Sequence, residues 1–238
     1  MHFGDHLCVV ALGIGIDGTK HPLRLTEGST ENTSVVTDLL TRLGERGLDT
    51  TRPIFLGIDG GKALRAAVIR VFDHPVIARC QLHKIRNVAD KLPDHLASTV
   101  TKRIRAAYHA ESALAAEAQL EALANELERT HPGAAGSLRE GLAETLTVLR
   151  LDVAPTLART LRSTNSIESM ISIVRNHSMN VKNWQNGTMA LRYAPPGCSR
   201  RASSSDASTA TCTCPRSASR SMPTSPRKLS VPCVMMTT

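Results

Sequence analysis

The chain has 238 residues, is 41% hydrophobic but only 3% aromatic, and carries a formal net charge of +8. That length allows one medium domain with an insertion or two small ones, with a core of Leu, Val, Ile and Ala. Met1–His6 has no basic leader and the apolar run Leu7 to Ile16 is short and glycine-broken, so neither a signal peptide nor a membrane span is expected. Only Cys8 and Cys80 precede residue 198, which argues against a disulfide framework and makes a cytoplasmic protein the expectation.

In chain order, Leu7 to Ile16 reads as a buried strand, Asp17-Gly18 as a hairpin turn, and Leu23-Arg24-Leu25 as a short return strand. Glu27 to Asn32 is a loop in which Ser or Thr caps a helix running to about Gly47. Ile54 to Ile58 is a second buried strand ended by Asp59-Gly60-Gly61, a helix follows from Lys62 to about Phe72, and Val76 to Cys80 is a third strand. This order argues for an α/β sheet.

From about Leu82 to Arg162 the pattern becomes helical, punctuated by Pro93, Pro132-Gly133 and Pro155. Glu111 to Leu127 shows apolar residues at helical spacing, with Leu114, Ala118, Leu120, Leu123 and Leu127 as the expected buried stripe. Cys198 to Thr238 is Ser, Thr, Pro and Arg without periodicity and is expected to be a disordered tail. That tail holds Arg200, Arg201, Arg216, Arg220, Arg227 and Lys228 against Asp206 alone, leaving +5 there and +3 in the body. The charge is therefore weak evidence that the body meets nucleic acid.

Three short segments carry chemistry. Asp59 ends an apolar strand on a sharp turn, where a carboxylate either projects into a metal site or caps the next helix through Lys62 and Ala63. The spacing from Gly57 to Lys62 excludes a phosphate-binding P-loop. Cys80-Gln81-Leu82-His83-Lys84-Ile85-Arg86-Asn87 opens a basic helix; Cys80 and His83 are half of a zinc site with no second half in the body, so structural zinc is not expected. Ser163-Thr164-Asn165-Ser166-Ile167-Glu168-Ser169 contains an Asn-x-x-Glu capping box, Asn165 as N-cap and Glu168 reaching back, ahead of a buried Ile167, Ile171, Val174 stripe. Trp184 sits among Arg175, Lys182 and Arg192, either stacking on an unpaired base or anchoring the core.

An acid at a strand end, a C-x-x-H pair opening a basic helix, and an acid in a T-N-x-I-E context, in that order, resemble the DDE transposases of Mutator-type bacterial insertion sequences over roughly Phe3 to Arg192. The resemblance implies an RNase H-like α/β core interrupted by an all-helical insertion: residues 1–90 as the first part of the core, 91–160 as the insertion, 161–194 as the returning core helix, and 195–238 as tail. It implies Asp59 and Glu168 as catalytic, metal-binding acids, Mg²⁺ or Mn²⁺ as cofactor, and Cys80 and His83 as a supporting motif. Lys84 and Arg86 beside His83 at a helix N-terminus, and Arg175 and Lys182 in the basic set around Trp184, are the candidate DNA-binding residues by their charge and placement. The partner would be DNA, at insertion-sequence ends and target, with the protein acting as a homo-oligomer.

The same resemblance implies a first Asp just ahead of His2-Phe3-Gly4, which this sequence lacks; Asp5 and Asp17 do not fill its place. Codons chosen for Pro195 to Pro215 also yield, in an alternate frame, an amphipathic basic continuation like that of the family. The expectation is a chain truncated at its N-terminus and frameshifted near its C-terminus, without strand-transfer activity. The alternative is an inactive relic or a DNA-binding inhibitor of intact transposase.

Overall fold

A computed structural model of the chain describes residues 2–3, 6–15, 19–28, 32–178 and 233–237. It is mixed α/β, with a mixed sheet flanked by helices. The strands are β1 (His2–Phe3), β2 (His6–Ile14), β3 (Lys20–Glu27), β4 (Ile54–Ile58), β5 (Pro75–Arg79) and β6 (Cys233–Thr237). The main order is β3-β2-β6-β4-β5, with β1 hairpinned onto the start of β2. β2 is antiparallel to β3 and β6, whereas β4 is parallel to both β5 and β6. The expected turn at Asp17-Gly18 lies outside the described residues.

The two faces of the sheet are covered differently. α1 (Thr33–Glu45) and α2 (Lys62–Val71) pack on one face, where Val36, Leu39, Leu40, Leu64 and Val68 meet Val9, Ala11, Ile54, Leu56 and Ile58. α9 (Pro155–Leu161) and α10 (Asn165–Ser178) cover the other, where Ala158, Leu161, Ile167 and Ile171 meet Val10, Leu12 and Phe55. Ile167 and Ile171 of the expected stripe are thus buried; the side chain of Val174 lies outside the described residues. α1 is capped by Asn32, whose side chain accepts from Ser34 N and Val35 N, and not by Ser or Thr as the sequence suggested. Its short amide oxygen reaches two of the unpaired N–H groups of the first turn.

A separate helical cluster contains α3 (Gln81–Ala89), α4 (Asp94–Ala107), α5 (Ala113–Glu128), α6 (Pro132–Arg139), α7 (Leu142–Thr145) and α8 (Thr147–Arg150). Ile85, Val88, Ile104, Leu120, Leu123, Leu138 and Leu146 share one core there. Ser112 caps α5 through Ala115 N. The buried face of α5 is Ala116, Leu120, Leu123, Ala124 and Leu127; Leu114 is 78% exposed and Ala118 is exposed. The expectation for those two positions is corrected. The 3.6-residue repeat groups 116, 120, 123, 124 and 127 on one side and turns 114 and 118 away.

The disordered-tail expectation is corrected for its last segment. Cys233–Thr237 forms β6 and fills the slot between β2 and β4, with Val234, Met235 and Met236 at most 1% exposed. Its side chains alternate: Cys233 and Met235 face the α9/α10 side, Val234 and Met236 the α1/α2 side. Met235 is paired with Gly57, whose missing side chain leaves room for it: a Cβ on Gly57 would stand 3.2 Å from Met235 Cγ. Without β6, β2 and β4 would each expose a row of unpaired backbone groups inside the molecule.

Met235→Ala is therefore expected to cost about 2–5 kcal/mol, as for other buried methionines, and Met235→Asp more, since it buries an unpaired carboxylate. Urea unfolding followed by circular dichroism measures both. An unchanged midpoint would place this segment outside the core.

Candidate active site

The site forms where the carboxyl ends of β4 and β5 meet the turn between α9 and α10. Three hydrogen bonds stitch it. Cys80 N–H donates to Ile58 O (2.8 Å), Gln81 N–H to Arg162 O (3.0 Å), and Thr164 N–H to the Cys80 Sγ (3.4 Å). Cys80 is the N-cap of α3 and not the last residue of the strand, because its backbone turns at this junction. The outer ends of strands, where helices begin, are where α/β sheets gather their ligands.

Asp59 directly follows β4. Its Oδ1 accepts from Gly61 N–H at 3.2 Å, closing a short turn in which Gly60 has φ +108°, a conformation that favours glycine. The cap of α2 is Gly61, with no side-chain cap bond, so the helix-cap reading of Asp59 through Lys62 and Ala63 is corrected.

Glu168 lies in the first turn of α10. Ile167 N–H and Glu168 N–H both donate to Thr164 O, which makes Thr164 the capping residue and Asn165 the first helical one. The capping box between Asn165 and Glu168 is corrected accordingly: Glu168 is one position too far along to reach back. Its carboxylate turns instead to His83 Nε2 at 3.7 Å and Arg86 Nη1 at 3.8 Å.

Thr164, 1% exposed, is the hub that residue-type reasoning passed over, although it stands inside the T-N-x-I-E segment. Its hydroxyl lies 3.4 Å from Cys80 Sγ, 3.3 Å from His83 Nδ1 and 3.4 Å from Glu168 Oε1. One hydroxyl proton serves one of these acceptors at a time, so the group responds to the charge state of its neighbours.

The electrostatics follow. Burial pushes the Cys80 thiol up, but hydrogen bonds from His83 and Thr164, side chain and backbone, outweigh it and set the thiol below its ordinary value. The hydrogen bond to Cys80 raises His83, burial opposes it, and the charges of Cys80, Asp59 and Glu168 add to the rise. Asp59 and Glu168, far apart in sequence, thus both act on one imidazole.

Lys84 does not belong with a DNA-facing set. It is 5% exposed, and its ammonium donates to Ser137 O (2.5 Å) and to Glu140 O at the end of α6. Burial and the neighbouring Arg79 lower its pKa to about 8. The basic helix is amphipathic, and Lys84 falls on its inner face beside Ile85 and Val88. Arg86 is 59% exposed and keeps its outward position. Arg175 is on α10, but its side chain, like Lys182 and Trp184, lies outside the described residues; so do Asp5 and Asp17.

Sequence reasoning also missed a buried ion pair. Arg79, 8% exposed, donates to Glu144 Oε2 at 2.7 Å, and Arg65 reaches Glu144 Oε1 at 2.5 Å. Arg79 packs so closely on Gly141 (φ +62°) that a Cβ there would lie 2.5 Å from its Cζ. The pair ties the helical cluster to the strand beside the Asp59 turn.

Among the described residues, no group of three or more His, Cys, Asp and Glu side chains has the geometry to hold a metal ion. Asp59 and Glu168 supply oxygen donors of the kind that Mg²⁺ or Mn²⁺ takes, but fall short in number. Nor is any helix among the described residues long and apolar enough to cross a membrane.

Residues 4–195 match the family model described as Transposase, Mutator family. The chain is 27% identical over 175 residues to the transposase for insertion sequence element IST2 of Acidithiobacillus ferrooxidans, covering 74% of this chain and 58% of that protein. It is 30% identical over 172 residues to the transposase for insertion sequence element IS6120 of Mycolicibacterium smegmatis, covering 72% and 52%. It is 26% identical over 187 residues to the transposase for IS256 in transposon Tn4001 of Staphylococcus aureus, covering 78% and 47%. The chain spans about half the length of the curated relatives it matches.

Cys80→Ala removes the largest cause of the His83 rise, so the histidine should titrate at lower pH in that variant. Proton NMR of the ring, in metal-free buffer, reads this directly. Asp59→Asn and Glu168→Gln should lower it by less. Because the folded value is raised, His83 stabilises the fold fully below its unfolded value of about 6.5, and that contribution disappears as pH rises through the folded value. An unmoved His83 in Cys80→Ala would break the assignment of the pair.

Proposed function

The chain belongs to the Mutator family of transposases, and we propose that it is catalytic-region sequence of an insertion-sequence transposase, with Asp59 and Glu168 as its acid pair and DNA as its substrate. The observation that carries this reading is the placement of Asp59 at the carboxyl end of β4 and of Glu168 beside His83 Nε2 at 3.7 Å, with the charges of both acids raising that imidazole. In the same reading the α/β part is an RNase H-like core, the helical cluster is its insertion, and the protein works as a homo-oligomer on paired ends of its element.

The acids would hold Mg²⁺ or Mn²⁺, which activates an attacking hydroxyl and stabilises the leaving 3′-oxygen of a DNA strand when bound. The rest is the chain's own work. The Gly60 turn keeps the Asp59 carboxylate at the strand end, where its Oδ1 accepts from Gly61 N–H. The first turn of α10 presents Glu168, and Arg86 and His83 steady it. Arg86 also offers a cation to a nearby strand phosphate. Two carboxylates hold a divalent ion less firmly than three, so modest metal affinity belongs to this reading for the residues described.

Mn²⁺ titration by electron paramagnetic resonance tests it. Asp59→Asn and Glu168→Gln should each weaken binding at least about tenfold, since even partners outside the ligand shell are worth ten- to hundredfold. Nicking of DNA carrying the element's ends is measured alongside. Mn²⁺ affinity unchanged in both variants would remove the acid pair from the site, and strand transfer by the wild-type chain that survives Asp59→Asn would do the same.

A further inference from the structure

Beside the junction of α3 with the turn before α10 is a basic cavity that the acid chemistry leaves unused. It is open, has a volume of about 270 Å³, and is lined by Arg105, Tyr108 and His109 at the end of α4, by Arg159 and Arg162 of the α9 region, and by Asn165 of α10. Gln81 and Ser163 border it too, so it backs onto the junction that holds Cys80 and Thr164. A water occupies ~30 Å³ in the liquid, so the space holds a phosphate group with its hydration.

Its charge is uncompensated. No carboxylate is among the lining residues, and Arg105, Arg159 and Arg162 have no ion-pair partner among the described residues. The contrast with Arg103 is direct: one half-turn earlier on the same helix, it is clasped by Glu126 at 2.5 Å. Arg162 Nη1 lies 3.4 Å from His109 Nδ1, and Arg162 Nε is buried without a hydrogen-bond partner. Gathering three guanidiniums costs free energy through mutual repulsion, and an orphaned buried N–H adds to the cost. A bound anion removes both. The N-terminus of the 14-residue α10 contributes its positive dipole end at Asn165.

We infer that this cavity is a phosphate-binding site that grips a backbone phosphodiester of the DNA strand lying next to the acid pair. Arg105 and Arg159 are exposed and Arg162 is half-buried. Guanidiniums suit this role because their forked donors match phosphate oxygens. The DNA part of the inference rests on the transposase reading; the anion part rests on the cavity alone.

Salt-dependent binding separates the two. Affinity for a fluorescein-labelled random-sequence duplex is measured by anisotropy across a salt series for the wild-type chain, R105Q/R159Q, R162Q, and a control, R70Q/R129Q, that removes equal charge elsewhere. Each neutralised phosphate contact contributes about 0.9 to the slope of log affinity against log salt. R105Q/R159Q should lower the slope by about 2, the control by less than half of that, and R162Q should weaken binding further. Arg105 and Arg159 are exposed, so the double variant should keep the wild-type unfolding midpoint. Equal slopes for the pocket variant and the control overturn the inference and leave the transposase reading standing. If the wild-type chain ignores the duplex while inorganic phosphate still shifts the Arg162 Nε resonance, the anion pocket stands. DNA is then removed as its ligand, and the inference falls with the DNA reading.

Discussion

The site depends on one residue's backbone and side chain. Cys80 follows the last residue of one strand, opens one helix, receives the Thr164 amide on its sulfur, and donates its own N–H to the last carbonyl of the neighbouring strand. Those contacts draw together chain segments that would otherwise pay separate closure entropies. A small polarisable sulfur suits the position: it packs almost fully buried, at 3% exposure, yet still accepts from an N–H and a hydroxyl. Serine would meet the hydrogen bonds but lose the apolar packing, and alanine the reverse. Once Cys80 is set, His83 follows one turn later on α3, and Thr164 fixes where α10 begins and so where Glu168 points.

The second constraint is the middle of the sheet. β4 is buried along its whole length and cannot serve as an edge. Its partner on one side is β5; on the other it needs a strand, and Cys-Val-Met-Met supplies one with the right alternation. The match of Met235 to the space over Gly57 is a packing relation, not a propensity one. That explains why this strand was illegible in the sequence: four apolar residues in a Ser/Thr/Pro/Arg background carry little signal until a slot between two strands selects them.

The legible parts were those where local chemistry and tertiary need agree. Ile54–Ile58 is a continuous apolar run ended by Asp59-Gly60-Gly61, and reads as a buried strand in isolation. Asp59 and Glu168 were singled out by their sequence contexts; in the structure the Glu168 carboxylate lies 3.7 Å from His83 Nε2, and Asp59 acts on that ring through its charge alone. Thr164 and Lys84 were misjudged for opposite reasons. Threonine carries no charge to attract notice, yet burial makes its one hydroxyl the shared partner of three groups. Lysine in a basic helix suggests solvent or phosphate, yet its helical phase turns it inward, where helix-end carbonyls replace water at the cost of a lowered pKa.

Positive charge in this chain therefore divides by what already neutralises it. Arg79 and Arg65 share Glu144, Arg103 holds Glu126, Arg139 holds Glu121 and Glu128, and Lys84 is absorbed by carbonyls. These cations join helices to each other and the helical cluster to the sheet. The exposed pairs of Arg103 and Arg139 contribute little to stability; the buried Arg79–Glu144 pair contributes modestly, because desolvation offsets its attraction, but it favours one docking geometry over others. Arg79 pressed against Gly141, with Glu144 beneath it, fixes how the helical cluster sits on the strand ends. That in turn sets where the unneutralised guanidiniums of α4 and α9 stand relative to Asp59 and Glu168. The paired cations fix geometry, whereas Arg105, Arg159 and Arg162 keep a charge that no carboxylate among the described residues meets.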